Sequence, residues 1–502
     1  MKTDTHYDIV IVGSGPAGQK AAIQGAKAQQ RVLIIEQARH VGGACVRHGT
    51  IPSKTLRESA FSLYRLRQLC LDGLQFDISP DLKVAHLMAR LDQVVQAHQH
   101  YMTEQLRRNG IEHLHGKARF IAPHDLEILS LHGNRRQVSG NIIIVATGSR
   151  PRTPPDVPVD HQHILDSDSI LSMLYVPDSL TILGAGVIAS EYASIFSLLG
   201  SKVTLIDQAP SPLNFIDPEL TACFVRCFEA NGGRFLGQRQ IDHVRWNGST
   251  NVETKLQDGT VIESDKLLCA LGRLANTENL NLTAAGLQLT ERGYLAVDAH
   301  CRTSVPHIYA AGDVIGPPAL ASFSMEQGRR AVCHALNIPL NSPPELIPTG
   351  VYTVPEISCI GLSEQQAVER FGAALIGRAY FSELARGQII GETDGILKLV
   401  TDPQGKRLLG IHIVGSGATE LIHVGQMGLL AGCDIDTFVD DIFNFPTLAE
   451  AYRIAALDIV KQRPVPASIT NANHANRQSG SSTTPINDAS TSVTPLWAQT
   501  GK

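Results

Sequence analysis

Short apolar runs alternate along the chain with glycine-rich turns and alanine-rich stretches, in an order that occurs twice. The run Tyr7–Val12 precedes a glycine-rich turn, an alanine-rich stretch to Ala28 and a second apolar run, Arg31–Glu36. This order predicts a strand, a helix and a parallel strand, which together form a βαβ unit. The same order returns from Leu180 to Asp207. That separation is too long for a solenoid repeat and suits two nucleotide-binding domains.

The rest of the chain has other patterns. Phe61–Asn109 is rich in Leu, Gln and Arg at helical spacing, and Asn141–Val145 is an apolar run typical of a buried strand. The segment from Ile347 to Arg463 mixes helical and strand patterns, which predicts a separate domain. From Pro464 the composition turns to Ser, Thr, Asn and Ala. Such a tail has too few apolar residues to order itself, so we expect it to be disordered.

Composition narrows the class of protein. With 502 residues, 43% of them hydrophobic, the chain has room for about three domains. A net charge of −5 favours neither nucleic acid nor an anionic membrane as a partner, and small molecules suit it better. No apolar run is long enough for a membrane span. The nine cysteines have no zinc or disulfide spacing, so we expect no metal site and a cytoplasmic location.

The first glycine-rich turn is a dinucleotide-binding fingerprint. Gly13-Ser14-Gly15-Pro16-Ala17-Gly18 follows a predicted strand and opens a predicted helix, whose N-terminal amides can receive a pyrophosphate. Glu36 ends the next strand, where a carboxylate can accept hydrogen bonds from ribose hydroxyls. The strand, helix and acid together make this match far more specific than glycine spacing alone.

Further motifs resemble those of the flavoprotein disulfide reductases, which include dihydrolipoamide dehydrogenase, glutathione reductase and mercuric reductase. The matching segments are Gly42-Gly43-Ala44-Cys45, Gly49-Thr50-Ile51-Pro52-Ser53-Lys54, Ala146-Thr147-Gly148 and Ala311-Gly312-Asp313. The resemblance implies that the first fingerprint binds FAD. It also implies that Gly43, Thr147, Gly148 and Gly312 belong to the FAD site, that Asp313 binds the ribityl chain and that Lys54 approaches the flavin ring.

The second fingerprint predicts a site for a nicotinamide nucleotide. Gly184-Ala185-Gly186-Val187-Ile188-Ala189 is the G-x-G-x-x-A variant, and Gly272 closes the unit as it does in the resembling family. Glu191 matches the family glutamate that pairs with the lysine at Lys54, where hydride enters the flavin. Removing either partner would leave a buried charge unpaired, at a cost of about 3–5 kcal/mol.

Asp207 ends the second strand of this unit and leaves the choice of nucleotide open. A carboxylate here bonds the 2′-hydroxyl of NAD(H) and repels the 2′-phosphate of NADP(H), which favours NAD(H). The next residues, Gln208 to Pro212, offer no arginine for a phosphate. Lys202 or a residue from elsewhere in the chain could still reach it.

Two groups that the disulfide reductases use are missing. Their active-site helix carries two cysteines, whereas this chain has Cys45 and then Thr50, which cannot form a disulfide. Cys45 either contacts the flavin or is a small core residue. The histidine that those enzymes use as acid and base corresponds to Phe445, which carries no proton. Glu450, which would orient that histidine, is then either catalytic or simply a charge in the first turn of a helix.

These departures, with Asn444–Thr447 and Glu450–Arg453, resemble the soluble pyridine nucleotide transhydrogenase branch of the family. The resemblance implies ping-pong hydride transfer between NADPH/NADP and NADH/NAD through flavin N5. Alternatives are an NADH-dependent diaphorase or quinone reductase, a dihydrolipoamide dehydrogenase, and a flavoprotein without enzymatic activity. The catalytic candidates are Lys54, Glu191 and Cys45.

The predicted fold is α/β, with two Rossmann-like domains and a C-terminal α+β dimerisation domain. We expect an FAD-binding domain at 1–150 that resumes at 276–346, an NAD(P)-binding domain at 151–275, a dimerisation domain at 347–463 and the tail at 464–502. The resemblance implies a homodimer or a higher homo-oligomer.

Overall fold

A computed structural model describes residues 5–71, 84–340 and 346–464 of the chain. The predicted tail, apart from its first residue, lies outside the described residues. Within these ranges no helix is both long enough and apolar enough to cross a membrane.

The bounds of the helices and strands are as follows. The strands are β1 (His6–Val12), β2 (Val32–Glu36), β3 (Glu112–His115), β4 (Lys117–Ala122), β5 (Asp125–Leu129), β6 (Arg135–Val145), β7 (Ser149–Pro151), β8 (Ile164–Asp166), β9 (Ser179–Leu183), β10 (Lys202–Ile206), β11 (Arg234–Leu236), β12 (Ile241–Trp246), β13 (Val252–Leu256), β14 (Val261–Ser264), β15 (Lys266–Cys269), β16 (Arg273–Ala275), β17 (Ile308–Ala310), β18 (Thr349–Val351), β19 (Ile357–Gly361), β20 (Leu375–Tyr380), β21 (Ile396–Thr401) and β22 (Leu408–Val414). The helices are α1 (Pro16–Lys27), α2 (Gly43–Arg47), α3 (Thr50–Leu71), α4 (Val84–Arg108), α5 (Val187–Leu199), α6 (Pro218–Ala230), α7 (Ala321–Ala335), α8 (Glu364–Phe371), α9 (Ala385–Ile390), α10 (Ala418–Ala431), α11 (Ile435–Asp440) and α12 (Glu450–Gln462).

The first sheet has the strand order β3-β2-β1-β6-β5-β4, and β17 also pairs with β6. Strands β1, β2, β3, β6 and β17 pair in parallel, whereas β4 and β5 are antiparallel additions. Because β1 and β2 are apolar at nearly every position, both of their faces are buried. The βαβ unit predicted from the first apolar runs is therefore present, with α1 as its crossover.

The second sheet is entirely parallel, with the order β11-β10-β9-β15-β8. Helix α5 links β9 to β10, as the second apolar pattern predicts. A separate antiparallel pair, β7 with β16, joins the segments that run between the two parallel sheets. The antiparallel strands β12, β13 and β14 form a small additional sheet.

The third large sheet is antiparallel, with the order β18-β19-β22-β21-β20, and α10 and α12 pack against it. Two parallel βαβ layers followed by an α+β layer confirm the predicted fold class.

A buried ion pair connects the second and third layers. Lys398 Nζ on β21 lies 2.7 Å from Asp217, which caps α6, and 2.7 Å from Glu364 at the start of α8. Burial opposes the charge of Lys398, but its hydrogen bonds to both carboxylates raise its pKa above the ordinary value. The lysine therefore stays protonated, and its contact with Asp217 ties the two layers together.

Close packing of α1 against α7 is predicted to tolerate no side chain at Gly328. A Cβ added there would lie 2.1 Å from the backbone oxygen of Ala17. Gly328→Ala should force the two helices apart and cost about 1–3 kcal/mol, measured as a lower melting temperature of the purified protein. Ser322→Ala, at an exposed position of the same helix, should leave the melting temperature nearly unchanged. Equal melting temperatures for the two variants would contradict this packing.

Candidate functional site

The first glycine-rich loop follows β1 and packs against the end of β6. Gly13 has a φ of +105°, and a Cβ at this position would lie 2.3 Å from the carbonyl oxygen of Ala146. Only glycine fits both the conformation and the contact. Gly15 is the N-cap of α1, and no side chain caps this end. The first amides of the helix therefore point to a space that an anion can enter.

Backbone approaches backbone across that space. A Cβ on Gly43, the first residue of α2, would lie 2.8 Å from Cα of Gly15. Within α1, a Cβ on Gly18 would lie 2.0 Å from the carbonyl oxygen of Gly13. The cradle is thus lined by main chain, which is what a pyrophosphate needs for close approach. The site has the donor chemistry and the shape to fit FAD.

Glu36 is held beside this loop by three hydrogen bonds. Its carboxylate accepts from Ser14 N at 2.8 Å and from Ser14 Oγ at 2.7 Å. It also accepts from Ala38 N at 2.8 Å. The acid predicted to bind a ribose is therefore next to the glycine-rich loop, in a fixed orientation.

Thr147, Gly148, Gly312 and Asp313 follow β6 and β17, two adjacent parallel strands, and so lie at the same edge of the first sheet. Asp313 accepts a hydrogen bond from Ser149 Oγ at 2.6 Å, and Ser149 Oγ accepts one from Arg273 Nε at 2.8 Å. Ser149 and Arg273 lie on the paired strands β7 and β16. These two hydrogen bonds therefore link Asp313 to the connection between the two parallel sheets.

The second glycine-rich loop has the same construction. Gly184 has a φ of +92°, and a Cβ there would lie 2.7 Å from the carbonyl oxygen of Ala270. Gly186 is the N-cap of α5, again without a side-chain cap, and Gly272 lies just beyond β15 at the same edge of the sheet. The two loops therefore offer equivalent main-chain cradles.

Asp207 occupies the position in the second unit that Glu36 occupies in the first. Its carboxylate accepts from Ala185 N at 2.6 Å and from Ala209 N at 2.7 Å. The suggestion that Lys202 reaches a nucleotide here is wrong. Lys202 begins β10 and Asp207 follows its end, so the strand separates them by about 16 Å.

Lys54 and Glu191 meet where the layers converge. Lys54 Nζ on α3 lies 2.6 Å from Glu191 Oε2 on α5, and the Glu191 side chain is only 6% exposed. The other carboxylate oxygen accepts from the backbone N–H of Tyr352 at 2.9 Å. The Lys54 ammonium also lies 4.8 Å from the centre of the Tyr352 ring, within range of a cation–π contact.

The segment around Tyr352 was not predicted to belong to the site. Arg57 on α3 is buried, and it donates to the carbonyl of Thr353 at 3.2 Å and pairs with Glu356 at 3.2 Å. Ser194 on α5 accepts from the N–H of Val354 at 2.7 Å. This loop of the third layer is thereby fastened to both helices that carry the ion pair. No motif in the sequence indicates these contacts.

Cys45 lies on α2, close to Lys54 and Asp313. Burial raises the pKa of its thiol above the ordinary value, and Asp313 acts in the same direction, although a hydrogen bond with Thr50 and the charge of Lys54 oppose the increase. The thiol is therefore protonated near neutral pH. The group beside the Cys45 thiol is the hydroxyl of Thr50, the first residue of α3. This pair therefore cannot store electrons as a disulfide.

Phe445 precedes α12 in the third layer, and Glu450 begins that helix. The Phe445 side chain is 74% exposed and has no group that transfers a proton. Glu450 is the first residue of α12 and accepts from the N–H of Thr447 at 3.2 Å. That contact is the one expected of a carboxylate at a helix N-terminus.

Comparisons with known proteins agree with this arrangement. Residues 7–328 match the family model described as pyridine nucleotide-disulphide oxidoreductase, and residues 347–456 match the dimerisation domain of the same family. The chain is 41% identical over 457 residues to a soluble pyridine nucleotide transhydrogenase of Mycobacterium bovis, covering 91% of this chain and 97% of that protein. It is 40% identical over 460 residues to the protein of that name in Marinobacter nauticus, covering 90% and 98%.

Solved structures show the same fold. LpdA from Mycobacterium tuberculosis superposes with a TM-score of 0.83 at 27% identity, covering 90% of this chain and 99% of that one. The HOCl-induced flavoprotein disulfide reductase RclA from Escherichia coli has a TM-score of 0.81 at 27% identity, with the same coverage.

Replacement of Lys54 by methionine should destabilise the protein strongly. The Glu191 carboxylate would remain buried without its cation, which we expect to cost about 3 kcal/mol. The lower melting temperature of the flavin-loaded variant measures this loss. Adding Glu191→Leu to Lys54→Met should recover part of it, because both charges are then gone.

Arg107→Met provides a matched control, since it removes a cation from the exposed pair with Glu104 on α4. We expect no measurable shift there. An unchanged melting temperature for Lys54→Met would show that the pair does not hold the layers together.

Proposed function

Because the chain belongs to the pyridine nucleotide-disulphide oxidoreductase family, we infer that it is an FAD-dependent transhydrogenase that passes hydride between NADPH/NADP and NADH/NAD. The observation that carries this inference is the combination of two main-chain nucleotide cradles around the Lys54–Glu191 pair with Thr50 in place of a second cysteine. The names of the relatives support the same activity.

FAD is held, in this proposal, by the edge of the first sheet. The uncapped amides of α1 would bind the pyrophosphate, Glu36 would accept from the ribose hydroxyls, and Asp313 would bind the ribityl chain. Gly43, Thr147, Gly148 and Gly312 would provide the remaining main-chain wall, and Lys54 and Cys45 would contact the flavin ring. When bound, the flavin supplies the ability to accept a hydride from one nucleotide and to give it to the other.

Nicotinamide nucleotides bind, in turn, at the second cradle. The amides of α5 face the pyrophosphate, and Gly184, Gly186 and Gly272 allow its close approach. Asp207 accepts from the adenosine ribose. The Lys54–Glu191 pair joins α3 to the helix that opens at the second cradle, and it would help to orient the flavin and the nicotinamide, since close and fixed placement accelerates the transfer.

A ping-pong order follows from the composition of the site. The protonated thiol of Cys45 and the hydroxyl of Thr50 provide no disulfide, and Phe445 provides no proton for a leaving thiol. Electrons that enter from one nucleotide therefore leave to another hydride or electron acceptor, and the names of the relatives favour a second nucleotide as that acceptor. One cradle serves both, so the first product departs before the second substrate binds.

The domain assignment follows the sheets. We propose FAD binding at 1–150 and 276–346, nicotinamide nucleotide binding at 151–275 and dimerisation at 347–463. The family match of the third domain supports a homodimer. The free thiols of the described cysteines and the soluble relatives support a cytoplasmic location.

Anaerobic reduction of the bound FAD by NADH and by NADPH, each added separately, tests the proposed activity. Both nucleotides should bleach the flavin within the turnover time, and NAD or NADP should then restore its colour. Dihydrolipoamide should give no comparable reduction, since the thiol relay is missing. Failure of NADPH to reduce the flavin would rule out transhydrogenation.

An apolar face on α10 offers a test of the dimer. Val424, Met427 and Leu430 are 40%, 56% and 61% exposed and recur at a helical spacing of three residues. Such a face is typical of an interface. Met427→Glu with Leu430→Glu should convert the dimer to a monomer in analytical ultracentrifugation. Val368→Glu, at an exposed apolar position of α8, should leave the dimer intact. Dimers of unchanged stability in the double variant would place the interface elsewhere.

A further inference from the structure

A nucleotide site that serves both NAD(H) and NADP(H) must tolerate a 2′-phosphate beside Asp207. The two backbone hydrogen bonds from Ala185 and Ala209 hold this carboxylate in place. Like charge would therefore repel the phosphate unless a cation is close by. The loop that follows Asp207, as far as Asp217, contains neither lysine nor arginine. A cation must come from another segment.

The segment after β11 lies directly against this loop. Gln238 N–H donates to the carbonyl of Ala209 at 3.1 Å, and Arg239 N–H donates to the carbonyl of Asp207 at 2.9 Å. A Cβ on Gly237 would lie 2.9 Å from the carbonyl oxygen of Pro210, so glycine permits this close approach. The backbone of Arg239 therefore lies beside Asp207, the acid proposed to bind the adenosine ribose.

Among the described residues, the Arg239 guanidinium pairs with Asp258 alone, in a contact at the surface. Its Nη1 lies 2.5 Å from Asp258 Oδ2, and the two side chains are 47% and 39% exposed. Such a pair contributes little stability and exchanges readily for a better partner. A phosphate is a better partner, because it accepts two parallel hydrogen bonds from a guanidinium. Asp258 would keep its hydrogen bond from Thr260 N–H, at 2.9 Å.

We propose that Arg239 is the specificity-determining residue for NADP(H). Its guanidinium breaks the contact with Asp258 and binds the 2′-phosphate, whereas Asp207 binds the 2′-hydroxyl of NAD(H). This assignment rests on the proposed function. Two neighbouring residues of opposite charge then let one cradle accept both nucleotides in turn.

Equilibrium binding to the flavin-loaded protein tests the assignment without turnover. The probes are adenosine 2′,5′-bisphosphate, which carries the 2′-phosphate, and 5′-AMP, which lacks it. Arg239→Gln should lower the preference for the bisphosphate over 5′-AMP by about 10- to 100-fold, the contribution expected of hydrogen bonds to a charged group. Arg239→Lys keeps the charge but loses the two-pronged geometry, so its preference should be intermediate.

Two further variants separate this role from a loss of charge or structure. Arg245→Gln removes an equally charged side chain from an exposed pair with Glu253 on the adjacent strand, and it should leave the preference unchanged. Asp258→Asn frees Arg239 and removes a negative charge, so it should raise the affinity for the bisphosphate a few-fold. An Arg239→Gln variant that retains the wild-type preference, or that loses both probes equally, would overturn the assignment.

Reduction of the wild-type flavin by NADPH distinguishes this failure from a failure of the proposed function. If NADPH does not reduce the flavin, transhydrogenation itself is wrong. If NADPH does reduce it and Arg239→Gln has the wild-type preference, the activity stands and only the role of Arg239 is wrong.

Discussion

The contact between Lys54 and Glu191 is the interaction on which the arrangement of the site depends. It joins α3 to α5, and the backbone N–H of Tyr352, in the third layer, donates to the same carboxylate. A charged pair with so little exposure is costly to break from either side. It therefore helps to fix how α3, α5 and the Tyr352 segment lie relative to one another.

The two cradles are built in the same way. In each, a glycine with positive φ lets a loop pack against a neighbouring strand end, and an uncapped helix leaves its first amides free to bind an anion such as a pyrophosphate. In each, an acid at the end of the second strand accepts from the backbone of that loop. The difference lies in what surrounds the acid, since Asp207 has Arg239 on the adjoining segment. In the proposed assignment, nucleotide choice is therefore decided outside the fingerprint.

Local patterns in the sequence were sufficient for the βαβ units, because apolar runs and glycines act within a few residues. The pairing of Lys54 with Glu191 was predicted through family resemblance alone. Tyr352 and Arg57 were missed because their contacts join segments 161 and 296 residues apart, with no spacing that marks them. The suggestion for Lys202 failed because it ignored the length of an extended strand. The surroundings of Asp207 depend on how the loop after β10 packs against the segment after β11. Hydrophobic periodicity in the sequence does not predict such packing.

In the proposed reaction the flavin alone stores electrons between the two nucleotides, and Cys45 and Thr50 take no part. An anaerobic titration of the flavin-loaded protein with dithionite measures this most directly. We predict that two electrons per FAD complete the reduction. An uptake of four electrons per FAD would reveal a second redox centre and contradict the account.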